Sequence, residues 1–353
     1  MKKFCERPFF WFEPGITGDT YSCCPSWLGK KIGNINNDSV EDVWNSESAK
    51  EIRSSILDGS FRFCNKKICP FITGNMLRDK NDPNLSEEIK NIIENNIVDG
   101  SRLPRDINFS YDESCNLSCP SCRNKPVIHR DGIEFEKRLK IHNKIINTCF
   151  KDPTNKSFLV NITGSGDPFA SKLFRSFLFN IDGDDFPNLK IQLQTNGNLL
   201  TEKIWNKMES IHTNIFFIML SIDAGLEKSY NVIRRGGNWK NLWKNISMLN
   251  DIKKNSYYDF IFRLDFVVQK GNYKEIAYII NHVFETYENV NSINLSGIQN
   301  WYHMSDKYYL ENAVHLSEHK EHENLVNILN FDSVQKYKDR INFNDLSNLI
   351  QGE

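Results

Sequence analysis

Short apolar runs and amphipathic stretches alternate along the chain from residue 105 onward. The apolar runs are rich in β-branched and aromatic residues and predict six strands, at 106–110, 158–163, 190–195, 215–222, 260–268 and 291–295. Between them, apolar residues recur at helical spacing and predict helices at 135–149, 169–179, 201–210, 239–252 and 273–287. This order predicts an α/β fold with a parallel sheet and right-handed crossovers. Six βα units are fewer than the eight of a closed barrel, so we expect a partial (βα)6 barrel with its site at the carboxyl ends of the strands.

The segments on either side of this pattern have a different character. Residues 79–104 hold a polar stretch and then apolar positions at helical spacing, closed by Gly100, which predicts a helical linker. The residues after 301 follow a helical pattern with no clear strand. We therefore divide the chain into a cysteine-rich module at 1–78, the linker at 79–104, the barrel at 105–302 and a helical C-terminal extension at 303–353.

The overall composition is that of a globular protein with a large core. The 353 residues are 39% hydrophobic and 25% charged, which allows about two domains at roughly 150 residues each and excludes global disorder. A net charge of −1 lacks the basic footprint of a nucleic-acid-binding protein. The longest apolar run, 215–220, is far shorter than the roughly 20 residues that cross a bilayer. Charged residues and prolines also interrupt the N-terminal segment, so we expect a cytoplasmic protein.

The nine cysteines carry the clearest chemical signal. Structural disulfides are uncommon in a reducing compartment, so ligation of a metal or a cluster is the leading explanation for so many thiols. They form three groups and one isolated residue: Cys5 with Cys23 and Cys24, Cys64 with Cys69, Cys115 with Cys119 and Cys122, and Cys149 alone.

The third group has the spacing C-x3-C-x2-C and follows directly after the first predicted strand. Three thiolates on one short loop bind three corners of a cubane iron-sulfur cluster and leave one iron open, where a cofactor or substrate can bind. A zinc site whose fourth ligand comes from elsewhere is the alternative explanation of the same triplet. The loop therefore predicts a metal centre at the edge of the sheet.

This loop, YDESCNLSCPSCR at 111–123, resembles the cluster loop of the radical S-adenosylmethionine (radical SAM) family, and the resemblance extends over residues 105 to about 301. It implies a 4Fe-4S cluster on Cys115, Cys119 and Cys122, whose open iron chelates S-adenosylmethionine. Reduction then cleaves this cofactor into methionine and a 5′-deoxyadenosyl radical. One departure is Ser121, which stands where the family commonly has an aromatic residue.

The same resemblance assigns cofactor contacts to residues that follow successive predicted strands. The segment ITGSGDP at 162–168 resembles the Gly-Gly-Glu-Pro element that receives the amino group of the cofactor, although a Gly-x-Gly turn alone is more often only a turn. Polar groups after the later strands are implied to bind the ribose hydroxyls and the carboxylate; the pattern around Arg234 also fits a solvated surface arginine. The residues implied to bind the cofactor are Gly164, Gly166, Asp167, Thr195, Asn196, Ser221, Asp223, Arg234 and Gln269.

The N-terminal cysteines have the spacing C-x12-G-x4-C from Cys5 to Cys23, and Cys64 and Cys69 add a C-x4-C pair. Four thiolates saturate a cubane cluster. The pattern resembles the SPASM/twitch auxiliary-cluster modules of radical SAM enzymes, and it implies a second 4Fe-4S cluster on these four residues. In the family this module usually follows the barrel, whereas here it precedes it. A structural zinc site is the alternative, and Cys24 can replace Cys23 as a ligand.

The resemblance predicts a radical SAM oxidoreductase or maturase that abstracts a hydrogen atom from its substrate. A retained auxiliary cluster favours oxidation of the substrate radical. The family resemblance favours a peptide or protein side chain as the substrate, with a sugar or sugar nucleotide as the second substrate class. Dehydrogenation, cross-linking and epimerisation all stay open. The resemblance also implies a reducing partner such as flavodoxin or ferredoxin, with no nucleic-acid or membrane partner. A non-enzymatic zinc-binding interaction protein is the alternative of a different class.

Overall fold

The computed structural model describes residues 2–101, 103–151, 158–162, 165–255, 258–300 and 304–350 of the chain. It is a mixed α/β protein with parallel strands. The chain forms two compact units, the first made of Met1–Glu113, His129–Ser165 and Asp185–Lys190 and the second of Ser114–Ile128, Gly166–Asp184 and Ile191–Glu353. These units follow spatial contacts, whereas the division made above follows sequence motifs, so the predicted boundaries stay predictions.

In the first unit the strands are β1 (Lys3–Phe4), β2 (Trp11–Pro14), β3 (Asp19–Tyr21), β4 (Gly33–Asn34), β5 (Arg78–Asp79), β6 (Asp106–Phe109) and β7 (Phe158–Ile162). Its helices are α1 (Arg7–Phe10), α2 (Val40–Trp44), α3 (Glu47–Leu57), α4 (Pro70–Thr73), α5 (Glu87–Glu94) and α6 (Gly132–Cys149). Strand β6 pairs in parallel with both β2 and β7, while β2, β3 and β4 form antiparallel pairs, as do β1 and β5.

Serine caps begin three helices of this unit. The side chains of Ser39, Ser46 and Ser86 each accept a hydrogen bond from a backbone N–H in the first turn of α2, α3 and α5. These caps satisfy amides that the start of a helix leaves without a partner inside the helix. The linker helix predicted within 79–104 is therefore α5, and it is shorter than that segment because it begins only after Ser86.

The core of the first unit surrounds the N-terminal aromatic residues. Phe4, Phe9 and Phe61 belong to one apolar cluster and are 2%, 4% and 1% exposed. Arg53 is also fully buried, and its Nε donates a hydrogen bond to the carbonyl of Pro8 at 2.9 Å. A buried guanidinium is tolerated when its donors are paired, so this contact ties α3 to the segment that carries Cys5.

Gly18, the glycine of the C-x12-G-x4-C pattern, has a backbone conformation that favours glycine. It lies in the turn between β2 and β3 with a φ of +82°, in the left-handed region. A Cβ at this position would clash with the side chains of Asn34 and Asn36. Both amides donate to the carbonyl of Thr17, at 3.3 and 3.0 Å, so they are held close to the turn.

We expect Gly18→Ala to lower the free energy of unfolding by about 1–3 kcal/mol, because it combines left-handed strain with the clash against Asn34 and Asn36. Gly29→Ala is the matched control, since a Cβ on Gly29 would lie 3.4 Å from the carbonyl of Pro25. Denaturant unfolding followed by circular dichroism measures both variants. Equal midpoints for the two variants would show that the turn accommodates a side chain.

In the second unit the strands are β8 (Leu189–Thr195, in this unit from Ile191 onward), β9 (Ile215–Ser221), β10 (Ile261–Val268), β11 (Ser292–Gly297) and β12 (Ile341–Asn342). Its helices are α7 (Lys172–Asn180), α8 (Glu202–Asn206), α9 (Glu227–Ile233), α10 (Trp239–Asn255), α11 (Ile276–Thr286), α12 (Asp306–Asn312), α13 (His322–Leu329) and α14 (Asp332–Gln335). Among the described helices of the whole chain, none is both long and apolar enough to span a membrane.

Strands β8 to β12 form a parallel sheet in chain order. On one face Leu220, Leu264 and Ile293 are neighbours in register, and all three are fully buried. The runs of β-branched and aromatic residues that predicted these strands supply such buried side chains. The predicted strands of both units coincide with β6 to β11 to within two residues at each end, with residue 163 outside the described ranges.

The C-terminal segment differs from the prediction in one respect. We expected it to be helical with no strand, but β12 pairs in parallel with β11, Ile341 opposite Ile293. A two-residue strand has too few positions for an alternating pattern, and its hydrogen bonds come from the strand beside it. The predicted helix at 201–210 also differs from the structure, which has two shorter helices there: α8 and a 3-10 helix at Glu209–Asn214.

Candidate functional site

The three cysteines of the C-x3-C-x2-C pattern lie in the second unit, on a loop formed by residues 114–128. The backbone N–H of Cys115 donates to the carbonyl of Val127 at 2.6 Å, and that of Val127 to the carbonyl of Cys115 at 3.2 Å. The carbonyl of Cys119 accepts hydrogen bonds from the backbone N–H groups of Cys122 and Arg123, at 2.8 and 2.9 Å. These bonds hold the three thiols on one compact loop.

Each of the three sulfur atoms has a nitrogen donor beside it. The distances are 3.8 Å from Nδ2 of Asn196 to Sγ of Cys115, 3.7 Å from Nη1 of Arg234 to Sγ of Cys119, and 3.4 Å from Nε of Arg123 to Sγ of Cys122. Hydrogen bonds and positive charge stabilise a thiolate, which is the form of cysteine that binds iron.

Burial has the opposite effect on these thiols. It raises the pKa of Cys115 to about 11, and it also raises the pKa of Cys119, against the lowering effect of the charge on Arg234. Both groups are therefore protonated at neutral pH when no metal is bound. Metal binding must release these protons, so we expect it to tighten as the pH rises.

The spacing of the thiols tests which kind of metal centre fits. Among the cysteines, all of which the structure describes, no three sulfur atoms lie within 4.8 Å of one another. Ligands of one tetrahedral zinc ion, at about 2.3 Å from the metal, lie only about 4 Å apart. A cubane cluster binds each thiolate to a different iron and so requires a wider spacing. Three thiols on one loop and four N-terminal thiols are donor sets that a cubane cluster can use.

Asp167 ties the end of β8 to the segment that precedes α7. Its carboxylate accepts hydrogen bonds from Oγ1 of Thr195 at 2.7 Å, from the backbone N–H of Asn196 at 2.8 Å and from that of Phe169 at 3.0 Å. The side chain is buried, and both of its oxygens are used by the protein. Its backbone N–H donates to the carbonyl of Ser114 at 2.8 Å, next to Cys115. The implied contact of Asp167 with the cofactor amine stays a prediction.

Arg234 contacts Ser221, Asp223 and Cys119 of the cysteine loop. Nη2 of Arg234 donates to the carbonyl of Ser221 at 2.8 Å, and Nη1 lies 3.2 Å from the carboxylate of Asp223. Only 13% of the Arg234 side chain is exposed, so it is not the solvated surface arginine that the sequence also allowed. Because Nη1 of Arg234 also lies near Sγ of Cys119, this arginine links the end of β9 to the cysteine loop.

The remaining implied cofactor residues have weaker links to the loop. Gln269 is buried after β10, and its backbone N–H donates to Oδ1 of Asn272 at 2.8 Å. Gly166 is partly exposed and directly precedes Asp167. Gly164 lies outside the described residues.

Sequence reasoning missed a second arginine that holds the loop. Nε of Arg235 donates to Oγ of Ser118 at 3.1 Å, and Nη2 donates to the carbonyl of Asn124 at 3.1 Å. The backbone N–H of Ser118 in turn donates to the carbonyl of Arg235 at 2.9 Å. The segment IRRGG at 233–237 contains both arginines, but only Arg234 was assigned a role from the sequence.

Two residues that flank the loop along the chain form a further contact in the first unit. Nε2 of His129 lies 3.1 Å from the carboxylate of Glu113, and Nε of Arg138 donates to the same carboxylate at 2.9 Å. With Asp112 these groups are close enough to surround a cation, but the guanidinium already supplies the positive charge there. We interpret these contacts as holding together the two residues that flank the loop, Glu113 and His129.

The four N-terminal cysteines of the predicted auxiliary site come together in the first unit. Cys5, Cys23, Cys64 and Cys69 line one small cavity, whose other walls include apolar side chains such as Leu28, Phe61, Phe71 and Leu77. Residues 65–68, between Cys64 and Cys69, are exposed. The donor set is therefore four thiols in a largely apolar pocket, which fits a fully ligated cubane cluster.

Cys24 does not line this cavity, whereas its neighbour Cys23 does. The geometry therefore favours Cys23 as the ligand. Burial raises the pKa of Cys5 to about 11 and that of Cys64 to about 12, and the other thiols nearby add to both shifts. As at the first loop, metal binding must displace these protons.

Residues 5–70 match the SPASM family, described as an iron-sulfur cluster-binding domain. The chain resembles radical SAM enzymes that carry a SPASM module. The matched residues include all four cysteines of the auxiliary cavity, so the predicted SPASM-like character of the N-terminal segment is confirmed. None of the curated proteins matches the sequence.

Two of the solved structures that are similar to part of the chain are radical SAM or maturase proteins. One is TsrM from Kitasatospora setae, a radical S-adenosylmethionine methyltransferase with cobalamin and a [4Fe-4S] cluster bound, at 10% identity and a TM-score of 0.38 over 52% of this chain and 32% of that one. Another is HydG from Carboxydothermus hydrogenoformans, an FeFe-hydrogenase maturase, at 12% identity and a TM-score of 0.39 over 66% of this chain and 51% of that one. The chain thus spans about a third to a half of the length of these proteins.

Proposed function

We propose that the protein is a radical SAM enzyme of the oxidoreductase or maturase type, with a 4Fe-4S cluster on Cys115, Cys119 and Cys122. The main support for this proposal is that these three thiols lie on one loop and that each has its own nitrogen donor. The fold proposed for residues 105–302 is the partial (βα)6 barrel of that family. The reduced cluster would supply cleavage of S-adenosylmethionine and, through it, abstraction of a hydrogen atom from the substrate.

The protein's own residues hold and orient the reactants in this proposal. Asn196 and Arg234 hold the loop at the ends of β8 and β9 and donate toward its sulfur atoms. The hydroxyl of Ser221 has no hydrogen-bond partner among the described residues and is partly exposed. It is therefore available for the cofactor, as the resemblance implies.

The second part of the proposal concerns the SPASM segment. Cys5, Cys23, Cys64 and Cys69 would hold a fully ligated 4Fe-4S cluster, which has no open iron and so cannot bind S-adenosylmethionine. Its role would be to accept the electron of the substrate radical, which makes the overall reaction an oxidation. A peptide or protein side chain is the first substrate class, and a flavodoxin or ferredoxin would provide the reducing electron to the first cluster.

Anaerobic reconstitution with iron and sulfide tests this function. The protein should bind about eight irons per chain, four in each cluster. With dithionite and S-adenosylmethionine it should form 5′-deoxyadenosine and methionine in equal amounts, slowly even without substrate. A colourless protein that binds stoichiometric zinc and forms no 5′-deoxyadenosine would instead support the zinc-binding interaction protein.

A further inference from the structure

The auxiliary cavity of the first unit has one cationic side chain beside its four thiols. Of the described residues that line this cavity, Arg7 alone carries a charged group, and the others are the cysteines and apolar residues. Arg7 is half-buried. A charge in apolar surroundings acts strongly on its neighbours, because little solvent screens it there. The charge of Arg7 therefore affects whatever the four thiols bind.

Three aromatic rings hold the guanidinium of Arg7. Its central carbon lies 4.4 Å from the ring centroid of Trp11, 5.6 Å from that of Trp27 and 5.3 Å from that of Phe71. A cation within about 6 Å of an aromatic ring is attracted to the negative face of that ring. Trp27 and Phe71 also line the cavity and pack edge to face, with 5.9 Å between their centroids. The rings thus keep the cation beside the cavity.

Arg7 forms no ion pair with any carboxylate in the part of the chain that the structure describes. Its charge acts at longer range on two acidic groups, Glu13 and Asp106, and each has another partner. Nε1 of Trp11 donates to Oε2 of Glu13 at 2.8 Å. Nε of Arg105 donates to Oδ1 of Asp106 at 3.1 Å. No directly paired carboxylate therefore neutralises the charge of Arg7.

This charge reaches the sulfur atoms of the cavity. Burial raises the pKa of Cys5 and of Cys23, and the positive charge of Arg7 opposes that effect at both thiols. At Cys64, where burial also raises the pKa, the opposing charge is that of Lys66. Lys66 is exposed, so solvent and salt screen its charge. Arg7 is thus the half-buried cation that favours negative charge on these sulfur atoms.

We propose that Arg7 raises the reduction potential of the auxiliary 4Fe-4S cluster and thereby makes it a better acceptor for the electron of the substrate radical. Reduction adds one negative charge to a cluster that four thiolates already make anionic, and net charge near a cluster is one of the factors that set its potential. A fixed cation stabilises the reduced form more than the oxidised form. This inference rests on the auxiliary cluster of the proposed function and gives a role to a residue that is not one of its ligands.

A redox titration of the auxiliary cluster tests this inference. The full chain carries Cys115→Ala, Cys119→Ala and Cys122→Ala, so the electron paramagnetic resonance signal of the reduced protein comes from the auxiliary cluster alone. When Arg7→Gln is added, the equilibrium constant for reduction should fall about tenfold, which is about 59 mV toward lower potential for a one-electron couple. Arg7→Lys keeps the charge and should leave the potential close to that of the parent protein.

Arg62→Gln is the matched control. It makes the same change at an exposed arginine that does not line the cavity and whose charge is paired with Asp58, so it should leave the potential unchanged. Arg7→Met is a second neutral variant, read if Arg7→Gln loses its cluster. The flexible thioether of methionine can fill the space between the rings, and the potential should fall by the same amount as expected for Arg7→Gln.

Three results would overturn the inference. One is an equal potential in Arg7→Gln and Arg62→Gln. Another is an equal fall in Arg7→Lys and Arg7→Gln, which would assign the effect to packing of the rings instead of charge. The third is loss of the cluster from both neutral variants, which would make Arg7 a structural residue.

Iron analysis before the titration separates this inference from the proposed function. A parent protein that binds about four irons, but whose potential does not depend on Arg7, loses only this inference. A parent protein that binds zinc and no iron would contradict the auxiliary cluster itself and with it this inference.

Discussion

Cys115→Ala, Cys119→Ala and Cys122→Ala should each reduce 5′-deoxyadenosine formation to the level of a mixture without protein. Three thiolates are the minimum that holds a cubane cluster with one open iron, and the loss of any one removes a corner ligand. Each variant should also lose about half of the iron, because the auxiliary cysteines keep their own cluster. Iron analysis and chromatography of the reaction mixture measure both effects on protein reconstituted without oxygen.

Cys24→Ala is the matched control for these variants. It removes a thiol next to Cys23, but Cys24 does not line the auxiliary cavity and is not on the cysteine loop. The control should therefore keep about eight irons per chain and full 5′-deoxyadenosine formation. If all three loop variants form 5′-deoxyadenosine at the rate of this control, the loop is not the cofactor site and the proposed function is wrong.

The Cys64→Ala/Cys69→Ala double variant should separate the two clusters by their chemistry. It should lose about half of the iron, from about eight to about four per chain, and still form 5′-deoxyadenosine at a rate close to that of the wild type. The reason is that cofactor cleavage depends on the open iron of the loop cluster, whereas the auxiliary cluster has none. With the true substrate, the double variant should form little or no oxidised product, because its electron acceptor is missing.

The metal content of the Cys64→Ala/Cys69→Ala variant decides whether the four N-terminal cysteines hold a redox-active cluster or a structural zinc ion. Zinc cannot accept an electron, so a zinc ion at Cys5, Cys23, Cys64 and Cys69 would stabilise the first unit and do nothing else. Wild-type protein with one zinc that disappears in the double variant, together with unchanged iron, would contradict the auxiliary cluster. Cys24→Ala again serves as the control and should resemble the wild type in both metals.

The sequence alone was sufficient for the features that depend on short distances along the chain. The C-x3-C-x2-C spacing places Cys115, Cys119 and Cys122 on one loop wherever that loop lies, and the C-x12-G-x4-C spacing identified the SPASM segment. The left-handed φ of Gly18 explains why that pattern includes a glycine. The strands β6 to β11 were visible because each is a short run rich in β-branched and aromatic residues between helical patterns.

Only the tertiary structure decided the features that depend on register and on packing between distant segments. It placed Cys23, and not the adjacent Cys24, on the wall of the cavity that Cys5, Cys64 and Cys69 also line. It assigned Arg235 to the cysteine loop and showed that Asp167 is buried among hydrogen bonds across more than 25 residues of sequence. Such partners are separated by whole elements, so no local pattern reveals them.

The polar side chains on one face of the sheet in the second unit illustrate the same limit. Gln194, Arg263 and Asp265 were each visible as polar residues inside predicted strands, but their meaning depends on which residues stand beside them. A shift of one residue in the pairing of β8, β9 and β10 would turn these side chains to the apolar face. The sequence determined that the strands form and which residues alternate. The register determined that the polar residues meet on one face, because neighbours across a sheet are set by hydrogen bonds between strands rather than by distance along the chain.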